Sequence, residues 1–209
     1  MEPRYLIYLS ILLVMTIYGF FNLKKLSLPF KSLNFLVLFT LVIESMTQSG
    51  IYPIENPLIL YHILLPITMF MLWLIFSSLY NTKRKIDIII TSIFILSSIL
   101  NSIWYQSDTF PSHGLTLLCN LGIWLPLNTF KDLLLLPTKI GITKHAIFWF
   151  SIFTLFFYSI TFFTFTFYNL YTENYWLQNI NFYSGLILYS GYFIVLYLDI
   201  NRNKYTYEK

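Results

Sequence analysis

Long apolar runs separated by short polar breaks dominate the hydropathy pattern of the chain. An α-helix rises about 1.5 Å per residue, so about 20 apolar residues cross the roughly 30 Å hydrocarbon core of a bilayer. The runs between the polar breaks are residues 5–21, 33–47, 58–80, 86–105, 115–136, 146–168 and 181–198. The sequence therefore predicts an all-α, polytopic transmembrane bundle of seven spans, which forms a single transmembrane domain over residues 1–209 with no soluble domain.

The fifth run is the least regular of the seven. Pro126, Lys131 and Asp132 fall inside it. Its end is consequently open to two interpretations, since the segment between Lys131 and Lys144 either continues the helix or turns onto the membrane surface. The first two runs and the last are short for a span, which predicts that their helices extend into the interface.

The distribution of basic residues predicts the orientation of the bundle. Cytoplasmic loops of membrane proteins are enriched in lysine and arginine. With seven spans, every base except Arg4 falls on the same side as the C-terminus, and the opposite loops hold only the acids Glu55, Asp108 and Glu173. The bases on the C-terminal side are Lys24, Lys25, Lys31, Lys83, Arg84, Lys85, Lys131, Lys139, Lys144, Arg202, Lys204 and Lys209. We therefore expect the N-terminus outside and the C-terminus in the cytoplasm, with the protein in the inner (cytoplasmic) membrane of a bacterium.

Composition narrows the possible functions. Hydrophobic residues make up 57% of the chain and charged residues 11%, against about a quarter charged residues in soluble domains. The net charge of +4 is explained by the loop bases, so nucleic acid is not an expected partner. Cys119 is the only cysteine, which excludes an intramolecular disulfide, and we expect it to be a small apolar residue inside a helix. No cofactor, metal or catalytic motif is recognised, so no enzyme activity is predicted.

Two ionisable side chains fall inside predicted spans, Glu44 in the second and His62 in the third. Such groups are costly in a bilayer and therefore mark candidate functional sites. Polar residues at a similar depth, toward the outer surface, extend the candidate set: Tyr61, Asn101 and Asn120, with Tyr183 and Ser184 as further candidates. One interpretation is an outward-opening pocket for a small ligand, in which Glu44 and His62 lie close enough to interact. The other is a set of interhelical hydrogen bonds that holds the bundle together.

Several short features suggest a family. They are Glu44 in the second span, Asn56 with Tyr61 and His62 at the opening of the third, Phe148, Trp149 and Tyr158 in the sixth, and Trp176 before the seventh. Over most of its length the chain thereby resembles small, uncharacterised seven-span proteins of Bacteroidota-type bacteria. That group often carries an acidic residue where this chain has Thr68, and the difference disfavours a proton relay. The resemblance implies a topology and no activity, and the general shape is similar to membrane input domains of bacterial sensors.

Four functions remain open. The first is a sensory or signal-relay protein with an outward-facing ligand pocket, which requires a protein partner because the chain has no output domain. A transporter or channel is the second, although its polar groups do not continue through the midplane. The third is an intramembrane enzyme that uses Glu44 and His62 as acid and base. The fourth is a membrane effector of a defence or stress system.

Overall fold

The computed structural model of the protein describes residues 3–49, 58–79, 85–107, 109–135, 142–168 and 175–201. These residues form seven α-helices and one short 3-10 helix. The α-helices are α1 (Pro3–Phe21), α2 (Leu28–Ser49), α3 (Ile59–Leu79), α4 (Lys85–Trp104), α5 (Ser112–Leu135), α6 (Ala146–Tyr168) and α7 (Tyr175–Ile200), and the 3-10 helix is Ile142–Lys144. Within the described ranges there is no strand, which confirms the predicted all-α class.

Some residues of the sequence-based predictions lie outside the described residues. They are the loop residues Glu55, Asn56, Asp108 and Glu173, the loop bases Lys83, Arg84 and Lys139, and the tail bases Arg202, Lys204 and Lys209.

Two helices begin well before the apolar runs predict, α2 at Leu28 and α7 at Tyr175. Ser27 directly precedes α2, and its carbonyl oxygen accepts hydrogen bonds from the backbone N–H groups of Phe30 and Lys31. Pro29 occupies the first turn, where the missing N–H of proline has no cost. The second helix therefore begins at Leu28, within a segment that hydropathy alone reads as a polar break. The last helix begins at Tyr175, since residues 175–180 contain no glycine or proline that would prevent a helix.

Six helices are long and apolar enough to cross a bilayer, and among the described helices α5 is the exception. The lower hydropathy of α5 comes from residues such as Asn120, Asn128, Lys131 and Asp132. One face of this helix is buried against α3, α4 and α6. Because protein covers that face, α5 needs fewer apolar side chains than a helix that lipid surrounds.

The helices form a ring. Following the contacts, α1 packs on α2, α2 on α3, α3 on α5, α5 on α6 and α6 on α7, and α7 returns to α1. Helix α4 packs on α3 and α5 and stands outside this ring of six. The ring encloses the space in which the candidate site lies.

Helix α4 has the polarity expected of a lipid-facing helix. Its buried residues are Thr91, Ser98 and Asn101. Apart from Trp104 at its end, its exposed large side chains are aliphatic, among them Ile86, Ile89, Ile93, Leu96 and Ile103. A soluble protein would bury the aliphatic face and expose the polar one, because apolar surface is removed from water on folding. The inverted arrangement and the six long apolar helices indicate a membrane protein in a bilayer.

The two ends of the bundle differ in the residues that they hold. The lysine end holds the α1–α2 and α5–α6 connections with Lys24, Lys25 and Lys144, and the cavity end is the opposite one. The lysine half is filled with aromatic side chains. The Phe150 ring lies 5.0 Å from that of Phe76 and 5.1 Å from that of Tyr192, measured between ring centroids.

At the lysine end of the bundle, a buried carboxylate connects the start of α2 to the end of α7. Asp199 in α7 is 4% exposed. Its Oδ2 accepts a hydrogen bond of 2.8 Å from the backbone N–H of Ser27, and both carboxylate oxygens lie 3.1 Å from the Ser27 hydroxyl, which donates to them. The charge therefore fixes the start of α2 against the end of α7.

Glycines permit the closest helix contacts. Asn34 of α2 lies directly over Gly19 of α1, and the Phe153 ring of α6 lies directly over Gly191 of α7. A side chain at either glycine would overlap its neighbour. Small residues at helix interfaces let membrane helices approach closely, and they contribute here in the same way.

Candidate functional site: a central cavity

A cavity of about 810 Å³ lies inside the ring and toward the cavity end of the bundle. Ligand pockets span roughly 300–1,000 Å³, so this one is large enough for a small organic molecule. Every helix of the ring contributes to its wall, the α4–α5 connection adds Thr109 and Phe110, and among the described helices only α4 contributes nothing. Its depth reaches from Arg4 near the start of α1 to Tyr192 in the second half of α7.

The wall combines aromatic and aliphatic side chains with a few polar groups. Six tyrosines line the cavity: Tyr5, Tyr8, Tyr61, Tyr158, Tyr189 and Tyr192. Leucines such as Leu64, Leu118 and Leu188 provide apolar surface between them. A mostly apolar wall with few polar groups is typical of small-molecule sites, in which the polar groups fix the orientation of the ligand.

Glu44 is the acidic residue of the wall. It stands near the end of α2 and is partly buried, and its Oε2 accepts a hydrogen bond of 3.3 Å from the Tyr61 hydroxyl. The structure thus brings together two of the predicted site residues, Glu44 and Tyr61, and Tyr8 of α1 and Tyr189 of α7 line the same cavity.

Arg4 is the basic residue of the wall. Its Nη1 donates a hydrogen bond of 3.0 Å to Oδ1 of Asn179. Its guanidinium carbon lies 5.4 Å from the centroid of the Tyr5 ring and 5.9 Å from that of Phe182, which are cation–π distances. These contacts fix the guanidinium between α1 and α7.

His62 has partners other than Glu44. Its Nδ1 lies 2.8 Å from the Ser102 hydroxyl and its Nε2 lies 2.9 Å from the backbone carbonyl oxygen of Thr109. With both ring nitrogens used, the predicted interaction with Glu44 is not formed. The prediction was wrong because it compared depth in the membrane, whereas the side chains of neighbouring residues on a helix point in different directions. His62 instead ties α3 to α4 and to the α4–α5 connection, from which Thr109 reaches the cavity wall.

Asn101 also supports that connection. The buried amide Nδ2 of Asn101 donates a 2.7 Å hydrogen bond to Oε1 of Gln106, and Nε2 of Gln106 donates a 2.9 Å bond to the Ser112 hydroxyl. Gln106 and Ser112 line the cavity, while Asn101 lies behind them. This network holds the first turn of α5 and the chain before it in place.

The remaining predicted residues lie away from the cavity wall. Asn120 is exposed on the outer face of α5, where its Nδ2 donates to the backbone carbonyl of Thr116 at 2.9 Å. Tyr183 is 61% exposed. Ser184 is buried and donates to the carbonyl of Asn181. Counting residues from the ends of the predicted spans places these residues at the same depth in the membrane as Glu44. Whether a side chain reaches the cavity depends instead on the face of the helix that carries it.

Sequence reasoning missed Arg4, Tyr8 and Tyr189. The charge distribution distinguishes Arg4 only as the one base on the outer side, and the hydropathy pattern gives no sign of Tyr8 or Tyr189. A signal was present in the spacing, because Arg4 and Tyr8 are separated by one helical turn and share a face of α1. The lining residues of α7 follow the same rule at positions 181, 182, 185, 188, 189 and 192.

The volume and the mixed apolar and polar wall of the cavity are suited to binding a small molecule. Within the described residues no group of histidine, cysteine, aspartate and glutamate side chains is placed to hold a metal ion. Cys119 is buried in α5, as predicted. Comparison of the chain with protein-family models, curated proteins and solved structures finds no match in any of the three. The functional inference therefore depends on the geometry of the cavity.

Proposed function

We propose that the protein is a seven-span receptor of a bacterial inner membrane that binds a small ligand in the central cavity from the outside and relays the binding to a protein partner in the cytoplasm. The observation that carries the proposal is the cavity itself, which six helices build and which holds a carboxylate and a guanidinium in an aromatic wall. A site shared by so many helices couples ligand binding to their relative positions, because packed helices shift as units.

The topology in this proposal has α5 as the seventh span and the lysine end in the cytoplasm. In its favour, α5 has 24 residues, which is long enough for a span, and packs alongside α3, α4 and α6. Of the described bases at the lysine end, Lys31 is half-buried and the others are exposed, as expected for residues in cytoplasmic loops: Lys24, Lys25, Lys85, Lys131 and Lys144. The same surface offers positive charge to an acidic partner.

Labelling of single cysteines tests the topology. Cys119 is the only cysteine and is buried, so a Cys119→Ser background allows one new cysteine at a time. We expect a membrane-impermeant thiol reagent to label Glu55→Cys, Asp108→Cys and Glu173→Cys in intact spheroplasts. Lys24→Cys, Lys144→Cys and Lys204→Cys should be labelled only after the membrane is opened. Labelling of Lys144→Cys from outside would show that α5 does not cross the membrane.

The lysine half favours a receptor over a transporter or channel. Below the cavity, the packed rings of Phe76, Phe150 and Tyr192 fill the centre of the bundle, and Val195 and Leu196 are fully buried beside them. A solute path needs polar groups or water through the midplane. The packed rings occupy the space that such a path would need.

Ligand-dependent stabilisation tests the binding step. The purified protein in lipid nanodiscs is heated with single compounds from four classes: amino acids, organic amines, organic acids and sugars. A ligand of the native state raises the midpoint of unfolding. The matched control is Gly185→Leu, because Gly185 lines the cavity and a Cβ there would meet only Phe157, at 3.8 Å. We expect at least one class to stabilise the wild type and not the variant.

The relay step has its own measurement. In the Cys119→Ser, Lys24→Cys protein, ligand should change the rate of thiol labelling at the lysine end, since the cavity helices shift on binding. If no class of compound raises the midpoint of unfolding, the binding site is rejected. Ligand-dependent uptake into proteoliposomes would favour the transporter instead.

A further inference from the structure

The polar groups near Glu44 indicate the class of ligand that the cavity takes, an inference that rests on the proposed function. Glu44 is partly buried in the wall, and its hydrogen-bond partner among the described residues is the neutral hydroxyl of Tyr61. Within the same residues no basic side chain pairs with it; Arg4 contacts Asn179 of α7 at the start of α1 and is not part of this site. A carboxylate has about four acceptor positions, so the contact with Tyr61 leaves most of them available to a ligand.

Thr40 extends the acceptor surface of α2. It stands one helical turn before Glu44, lines the same cavity and is 6% exposed. Its hydroxyl donates to the backbone carbonyl of Leu36 at 3.0 Å, so the oxygen offers lone pairs to a ligand. Residues four apart on a helix have Cβ atoms about 5–6 Å apart, and two charge-assisted hydrogen bonds of about 2.8 Å each span that interval. One ammonium group can therefore donate to both side chains.

An aromatic cluster of three rings, Tyr61, Phe110 and Phe165, continues along the wall from Glu44. The centroid of the Tyr61 ring lies 5.8 Å from that of Phe110, and the Phe110 ring is stacked on that of Phe165 with 5.7 Å between centroids. All three residues line the cavity. Because the Tyr61 hydroxyl donates to Glu44, the aromatic cluster adjoins the carboxylate. Aromatic faces attract cations and also pack against the apolar body of a ligand.

Charge and hydrogen-bond polarity favour an amine over other ligands. An anion would meet the Glu44 carboxylate, and a neutral ligand would leave it without a counter-charge, which is costly in an apolar wall. Further threonines of the wall also donate their hydroxyl hydrogens within the bundle and present oxygen lone pairs: Thr68, Thr161 and Thr164. We propose that the cavity binds a small organic amine as a primary ammonium ion, which donates to Glu44 and Thr40 and packs its apolar body against the aromatic cluster.

Three matched probes test this assignment. The first, 2-phenylethylamine, is a primary ammonium ion; 2-phenylethanol has the same shape without the charge; and the N,N,N-trimethyl derivative of 2-phenylethylamine keeps the charge without an N–H donor. Isothermal titration with the wild-type protein in phosphatidylcholine nanodiscs at neutral pH should give the primary amine an affinity about tenfold or more above that of either other probe. The alcohol measures the contribution of the charge, and the trimethyl derivative measures the contribution of the N–H donors.

Variants of the two acceptors assign the contacts. Glu44→Gln keeps the shape of the side chain and removes its charge, so the affinity for 2-phenylethylamine should fall to about that for 2-phenylethanol, while the affinity for the alcohol changes little. Thr40→Val should lower the amine affinity about threefold or more, and Thr40→Ser, which keeps the hydroxyl, should preserve it. Asp87→Asn is the control, because it removes a charge from α4, which has no part in the cavity wall. If a variant fails to fold, the probe series on the wild type still decides the question.

The primary ammonium has two possible sources, a free amine or the ethanolamine headgroup of a lipid. Loss of 2-phenylethylamine binding when phosphatidylethanolamine replaces phosphatidylcholine in the nanodisc would assign the site to the headgroup, and unchanged binding would assign it to a free amine.

Three results would overturn the inference. They are equal affinity for 2-phenylethylamine and 2-phenylethanol, tighter binding of the trimethyl derivative than of the primary amine, and binding of none of the probes at millimolar concentration in phosphatidylcholine. Stabilisation by sugars or organic acids alone, lost in Gly185→Leu, would reject the amine and retain the binding cavity, so this outcome separates the ligand class from the proposed function.

Discussion

The same two helices, α6 and α7, pack loosely toward the cavity end of the bundle and tightly toward the lysine end. On α7, a side chain at Gly185 would meet only the edge of Phe157 at 3.8 Å, whereas a side chain at Gly191 would overlap the ring of Phe153. Both neighbours belong to α6, so one helix pair is roomy toward the cavity end and tight toward the lysine end. In this helix pair, packing leaves no room for a side chain toward the lysine end, while the free space toward the cavity end is available for binding.

The largest effect should come from the charges that define the lysine end. Changing Lys24, Lys25 and Lys31 together to Glu removes the bases that hold the α1–α2 connection in the cytoplasm, so we expect faulty insertion of α1 and α2. Single-cysteine labelling in the Cys119→Ser background would report it. The same three residues changed to Arg keep the charge and should keep the topology. Normal topology in the Glu variant would mean that the later connections set the orientation alone.

The next effect concerns Asp199. Asp199→Ala leaves the N–H and hydroxyl of Ser27 without this acceptor at a buried position, and we expect a loss of about 2–3 kcal/mol in the free energy of unfolding. Thermal or denaturant unfolding in detergent measures it. Asp87→Ala is the control, because the hydrogen bond from Trp124 Nε1 to Asp87 lies at the surface. Equal losses in the two variants would contradict a special role for the lysine end.

The two glycines of α7 provide a direct test of the comparison. Gly191→Ala should cost about 1–3 kcal/mol because the methyl group overlaps Phe153, and overpacking forces neighbours out of their preferred rotamers. Gly185→Ala should change stability by less than about 0.5 kcal/mol, since its methyl group makes an ordinary contact. Unfolding midpoints of both variants give the answer. A Gly185→Ala protein as unstable as Gly191→Ala would show that the cavity end is also tightly packed.

The smallest effect on stability should come from the cavity wall. Tyr61→Phe removes the 3.3 Å hydrogen bond to Glu44, which we expect to cost no more than about 1 kcal/mol. Its effect on ligand affinity should be larger than its effect on unfolding, because the carboxylate loses the group that orients it. Measuring both quantities on the same preparation separates binding from stability. A large loss in the free energy of unfolding of Tyr61→Phe would indicate that the Tyr61–Glu44 hydrogen bond serves to hold the helices together.

The helices were predictable from the sequence and the site only in part. Apolar runs mark where helices occur, and each of the seven predicted runs falls on an α-helix. The predicted bounds are wrong only at the ends of the helices. At Leu28, for example, Ser27 and Pro29 start the helix early. Glu44 and Tyr61 were found because polar groups inside apolar runs stand out. His62 and Asn120 were misplaced because hydropathy gives depth and not the rotation of a helix, which depends on contacts such as that of Gly19 with Asn34. Nothing in the local sequence of α1 shows that Arg4 meets Asn179 of α7.

The contact between Ser27 and Asp199 has a consequence for the biosynthesis of the protein. Its two partners are separated by 172 residues, so it cannot form until the last helix has left the ribosome and entered the membrane. Until then the start of α2 lacks this acceptor, and the ring stays open between α1 and α7. A truncated chain that stops before Asp199 would keep the cavity-lining residues of α7 but lack the contact that holds the end of α7 against the start of α2. Its last helix would be held less firmly in the ring, and local opening of this kind exposes a chain to membrane proteases. We expect completion of α7 to be the step that protects a newly made chain from degradation, and pulse-chase half-lives of chains ending before and after Asp199 would measure that protection.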